Sequence, residues 1–287
     1  MPTFETPEPI SATIDVVMGD VRIVAGDRTD TAVEVRPTDP SRKNDVTAAE
    51  LTRVEFSDGE LLVKTSKRWR HYGPRDGGSV EVVIELPAGS QVQAESAMGD
   101  FRGEGRLGEC RFRTAMGAIR LDATGPLNAK TATGAVTVDH VAGPAEVATG
   151  SGELRIRLVD GAGVFKNSNG GTKIGEIGGD ARLSAANGGI SVERAHNSVH
   201  AKTANGDIRI GEVARGTVTL GVSVGELEIG IREGTAAYLD LDATAGRVHN
   251  ALDSADAPAE SEETVEVRAR TVAGDIVVRR SSFVADE

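Results

Sequence analysis

Residues 203–210 read Thr203-Ala204-Asn205-Gly206-Asp207-Ile208-Arg209-Ile210. Beyond Gly206 the apolar residues Ile208 and Ile210 alternate with Arg209, and ahead of it Val199, Ala201 and Thr203 alternate with His200 and Lys202. Period-two alternation is the signature of a strand with one buried face. Ala204-Asn205-Gly206 therefore reads as a tight turn between two strands, with glycine where φ must be positive.

The unit recurs along the chain. Gly99, Gly117, Gly134, Gly152, Gly170, Gly188, Gly206 and Gly225 head successive copies, in steps of 18, 17, 18, 18, 18, 18 and 19 residues. Gly19 heads an outlying early copy. Gly246 and Gly274 head looser late copies, separated by an acidic insertion between Asp253 and Glu263. The weakest internal match is at Gly170, where Thr172 and Ile174 take the aliphatic positions. Eighteen residues at about 3.3 Å each make one short coil of a solenoid, whereas a propeller blade takes about 40. The expected fold is all-β: a single-chain β-solenoid, β-helix-like, of 18-residue coils. Ile119, Val136, Leu154, Ile190, Ile208 and Leu227 become an interior ladder with rungs about 4.8 Å apart.

Composition agrees with such a narrow interior. Of 287 residues, 35 are glycine and 3% are aromatic, while 39% are hydrophobic and 26% charged, which describes a soluble folded chain. A net charge of -12 argues against general affinity for nucleic acid or anionic lipid, so such a partner needs a local basic patch. Cys110 is the only cysteine and has no internal disulfide partner. Residues 1–9 show no basic leader, and no window holds 18 uninterrupted apolar residues, so the expected compartment is the cytoplasm.

Two regions form one continuous structural domain in this reading. Residues 1–95, with the first repeat and a basic hairpin, form an irregular N-terminal β cap that protects the exposed solenoid end, and residues 96–287 carry the repeats. Within the cap, residues 31–35, 60–64 and 80–86 read as strands and Asp45 to Arg53 as a short helix. Asn169, Asn187 and Asn205 precede three consecutive turn glycines and read as a structural amide ladder rather than a ligand row.

The Thr-Ala-x-Gly-Asp-Ile-x-Ile units, as in Thr203 to Ile210 and Thr271 to Val278, follow a segment running from Gly78 to Ser90 through Val80-Glu81-Val82-Val83-Ile84-Glu85-Leu86. Together these resemble the bacterial β-strand-repeat family labelled "putative adhesin" and related to the toast-rack domains, in particular its cytoplasmic actinobacterial members, over residues 14–279. The resemblance implies the solenoid fold, no enzymatic activity, no catalytic residues and no cofactor.

Candidate chemistry is sparse. Gly103-Glu104-Gly105-Arg106-Leu107-Gly108 spells a dinucleotide fingerprint, but Cys110, Phe112 and Thr114 continue it as a strand where a helix is needed. The five histidines show no metal-ligand spacing, and Asp122 and Asp139 supply too few oxygens for calcium. Asp100, Glu153, Asp207, Glu226 and Asp275 follow turn glycines and, with Arg102, Arg155, Arg209 and Glu228 two residues on, suggest cross-coil ion pairs. The segment Lys67, Arg68, Trp69, Arg70, Tyr72 and Arg75 joins positive charge to aromatic rings and is the expected partner contact.

The expected function is a non-enzymatic interaction or scaffold protein, with an unidentified protein partner or self-association and no nucleic acid. One alternative is an envelope-stress module that meets a membrane or protein through the basic hairpin. Another is a carbohydrate-active β-helix enzyme, disfavoured by two Tyr and one Trp.

Overall fold

The alternation around Gly206 is built as two strands, Val199–Asn205 and Ile208–Val213, on either side of the glycine turn. Val199 and Ala201 point inward at 1% exposure, and Ile208 and Ile210 are fully buried. A computed structural model describes residues 2–65, 77–252 and 263–281. Within them the fold is a β-solenoid in which each coil places one strand in a leading sheet, before the turn glycine, and one in a trailing sheet after it. Equivalent strands of successive coils pair in parallel and in register, as Ile190↔Ile208↔Leu227 and Ala181↔Val199↔Val218 show.

Two compact units make up the chain, Met1–Ala142 and Gly143–Glu287. In the first, the leading sheet runs through Gln91–Met98, Cys110–Met116 and Leu127–Thr133, and the trailing sheet through Phe101–Arg106, Ile119–Thr124 and Val136–Val141. Phe101 and Phe112 are fully buried and meet across the interior, ring centroids 5.4 Å apart.

The outlying early copy belongs to the stack itself. Ser11–Gly26 bends at Gly19, and its two halves pair in parallel with Gln91–Met98 and Phe101–Arg106 on one side. On its other side lie Glu60–Lys64 and Val80–Pro87, so a later stretch of chain forms the outer coil. Antiparallel strands then cover that coil: Arg53–Ser57 on Glu60–Lys64, and Asp30–Pro37 on Val80–Pro87. The helix runs Lys43–Glu50, earlier than Asp45 to Arg53, because the chain is already extended from Arg53. Its buried Asp45 accepts the Ser79 and Asp39 backbone N–H groups at 3.1 and 3.2 Å, fastening it to the neighbouring segments.

The second unit also departs from sequence order. Gly216–Val224 and Leu227–Ile231 pair with Thr264–Ala273 and Ile276–Arg280, and these in turn pair with Ala236–Ala245 and Val248–Asn250. The last coil in sequence thus sits between the two before it. The coil at Gly170, weakest in sequence, keeps Thr172 and Ile174 buried at 3% and 1%. Among the described residues no helix is long and apolar enough to cross a membrane.

Coil contact is closest at the turns. Gly117 has φ 150°, and a Cβ there would lie 2.0 Å from the Gly99 carbonyl oxygen of the preceding coil. Gly117→Ala therefore loses about 3 kcal/mol or more from backbone strain and overlap. A Cβ on the strand glycine Gly221 would meet nothing within 4 Å, so Gly221→Ala is neutral or gains about 0.4–1 kcal/mol. Urea denaturation of both variants checks the contrast. Deleting residues 171–188 removes one whole coil and leaves a folded chain, whereas deleting 171–179 shifts strands against turns and does not, as circular dichroism and thermal melts will read.

Candidate interaction surface

With alternate residues committed to the core, the others form outward rows in register, one residue per coil. How the coils are fastened decides which of these outward groups remain available.

Three devices serve the turns. First, an inward threonine near the end of several leading strands donates to the turn carbonyl of the preceding coil: Thr131 to Gly117 at 3.0 Å, Thr203 to Gly188 at 3.2 Å and Thr271 to Gly225 at 3.2 Å. Asn167 holds this position in its coil and reaches the carbonyls of Gly152 and Gly170, both at 3.0 Å. That second bond supplies what Ala185, at the equivalent site in the next coil, lacks. Second, Asp residues after turn glycines accept a backbone N–H from a neighbouring coil: Asp20 from Asp100, Asp100 from Ala118, Asp207 from Glu226 and Asp275 from Arg247, at 2.7–2.9 Å. For Asp207 and Asp275 this backbone cap replaces the expected ion-pair role, because a short carboxylate beside a turn is nearer to the next coil's N–H than to an arginine head. Third, Asn205 donates to Asn187 and Asn187 to Asn169, each at 3.0 Å, forming the amide ladder.

Ion pairs do lace the trailing face. Arg22 forms a two-pronged bond with Glu104 at 3.0 and 2.8 Å, and Arg120 reaches Asp100 at 3.3 Å. In the second unit Glu153 takes Arg155 at 2.9 Å and Lys173 at 3.2 Å, Glu176 takes His196 at 2.7 Å, and Glu228 takes Arg209 at 3.3 Å. The bonds from Arg22 hold Glu104 below the usual carboxylate range, and those from Arg155 and then Lys173 do the same for Glu153. Their small stabilisation is present above the ordinary glutamate range and fades as pH falls through the depressed values.

The sequence candidates fall as follows. Lys67, Arg68, Trp69, Arg70, Tyr72 and Arg75 lie outside the described residues. Gly99, Gly117, Gly134, Gly152, Gly170, Gly188, Gly206 and Gly225 all occupy turns with φ between 131° and 154°. Gly103 and Gly105 lie in the strand Phe101–Arg106. Among the described residues no three of His, Cys, Asp and Glu converge as a metal-binding group. Absent from the sequence reading was the leading face of the second unit. There Lys166, Ser184, Lys202, Gly221 and Arg270 form one row across the coils, with Arg182, His200 and Arg268 in the row beside it. Writing the chain in lines of one repeat would have exposed this alignment.

A family model described as Toastrack DUF4097 matches residues 11–279. The chain belongs to the toastrack family. Solved structures similar to this toastrack chain include a putative adhesin from Bacteroides fragilis, at 12% identity and TM-score 0.38 over 97% of this chain and 95% of that one. A putative lipid binding protein from Parabacteroides distasonis has 12% identity and TM-score 0.36 over 97% and 96%. A putative cell adhesion protein from Clostridium sporogenes has 10% identity and TM-score 0.23 over 97% and 98%. No curated protein matches the chain.

Cys110 points into the core at 1% exposure, and burial pushes its thiol up to about 12. The thiolate is the reactive form, so the folded protein resists alkylation at pH 8 and becomes labelled only in denaturant. Mass spectrometry after iodoacetamide treatment, with and without urea, checks this.

Proposed function

We propose that this toastrack protein is a non-enzymatic interaction scaffold whose outward rows bind a macromolecular partner. One observation carries the reading: outward side chains that alternate with the core align in register from coil to coil, as Lys166, Ser184, Lys202 and Gly221 do. Such surfaces suit extended contact, as in other stacked-repeat proteins. The acids that follow the turns support it too. Asp100, Asp207 and Asp275 are engaged with neighbouring backbone, and Glu153 with basic side chains, so these groups serve the stack. The buried Cys110 thiol is likewise a core group.

The test is capture of a partner by tagged full-length protein from its native host. A stoichiometric partner is expected at about 0.1 M salt, released by charge reversals on the outer rows and unaffected by Cys110→Ser. Recovery of the chain alone under mild crosslinking, or release by Cys110→Ser as readily as by the surface reversals, overturns the proposal.

A further inference from the structure

In the Gly143–Glu287 unit the two outer faces are charged differently. On the trailing face cations stand beside carboxylates: Lys173 by Glu153 at 3.2 Å, Arg194 by Glu176 at 3.8 Å and Arg209 by Glu228 at 3.3 Å. Across four successive leading strands, Gly163–Asn169, Ala181–Asn187, Val199–Asn205 and Gly216–Val224, the outward positions hold Lys166, Arg182, His200 and Lys202 and no acid. Lys166, Arg182 and Lys202 are exposed and, among the described residues, have no ion-pair partner. Neighbouring like charges in a sheet disfavour folding slightly, so this arrangement adds nothing to stability. It stands out in a chain of net charge -12.

The face is also shaped. Lys166 and Lys202 are two coils apart, about 9.6 Å, with Ser184 between them, and Arg182 lies in that same intervening coil one row over. Beyond Lys202 the row drops to Gly221 and rises again at Arg270, which is held by Asp240 at 3.1 Å and Asp242 at 3.6 Å. Lys202, Gly221, Ser223, Asp242, Thr244 and Arg270 line a depression of about 620 Å³ there. That volume lies in the range of small-ligand sites, enough for side chains of a bound segment. The small-residue floor at Gly221 and Ser223 lets an incoming backbone approach closely beside Lys202, which has no ion-pair partner among the described residues.

We propose that the leading face around Lys166, Arg182 and Lys202 is a docking surface for an acidic polypeptide segment lying across the coils. Charge complementarity argues for the anion. The absence of any exposed Phe, Tyr or Trp on these four strands argues for a peptide over single-stranded nucleic acid, whose bases bind chiefly through stacking on such rings. Carboxylates need only cations and hydrogen-bond donors, which the lysines, Arg182 and the serine hydroxyls supply. The inference rests on the scaffold reading and names its partner's chemistry.

The experiment is fluorescence anisotropy of a dye-labelled polyglutamate peptide titrated with the full chain at low salt. Lys166→Gln, Arg182→Gln and Lys202→Gln combined should weaken binding about tenfold or more. Lys173→Gln, Arg194→Gln and Arg209→Gln combined, on the trailing face, should change it less than about twofold, since those cations are already neutralised. Thermal melts confirm that both triple variants fold. Equal weakening by the two triples, no peptide binding by the unaltered chain, or displacement of the peptide by oligothymidylate at lower concentration than unlabelled peptide each overturns the proposal. If a captured partner persists while the peptide fails, only the acidic-segment reading falls. Loss of any partner falls on the scaffold reading instead.

Discussion

The close approach of one coil's turn to the next is the constraint on which the rest of the structure depends. At Gly134 a Cβ would sit 1.9 Å from the Gly117 carbonyl oxygen, so only glycine permits the spacing. Parallel pairing in both sheets needs that spacing, because strands leaving the turn on either side must lie one hydrogen bond from their neighbours. With the turns seated, the inward threonines reach the glycine carbonyls and the aspartates reach the next coil's N–H groups. The Thr-Ala-x-Gly-Asp unit is thus one fastening device, with the hydroxyl satisfying an acceptor below and the carboxylate a donor above.

Once the backbone and the inner ladder hold the coils together, the outward rows are nearly free of structural duty. Exposed ion pairs such as Arg209 with Glu228 contribute about 0–1 kcal/mol each. The two faces of the second unit can then differ in charge while sharing one backbone plan. The trailing face neutralises its cations locally, and the leading face leaves Lys166, Arg182 and Lys202 available.

The coil, its two strands and its buried positions were legible because glycine spacing and period-two alternation are local properties of the chain. Coil order was not. Ser11–Gly26 and Thr264–Ala273 carry the same small aliphatic alternation as every other copy, so any coil offers any other a compatible ladder. Which coils meet is decided by chain connections and by the antiparallel strands over Val80–Pro87, and the repeat pattern does not encode that choice. Asp207 and Asp275 depart from the ion-pair expectation for a related reason. Spacing places Asp207 and Arg209 on one face, but only the turn geometry shows that the carboxylate lies nearer the Glu226 N–H.

The candidate surface was hidden for a different reason. A linear search for basic patches finds the run from Lys67 to Arg75, where charges are adjacent in sequence. Lys166, Arg182 and Lys202 stand 16 and 20 residues apart and are each surrounded by neutral or apolar neighbours. The repeat folds those separations to one coil each, turning isolated charges into a cluster over two adjacent rows whose spacing is set by the sheet. In a solenoid, binding chemistry is therefore written at the period of the coil. A surface of this kind needs no cleft, since the backbone that spaces the core ladders spaces the outward charges as well.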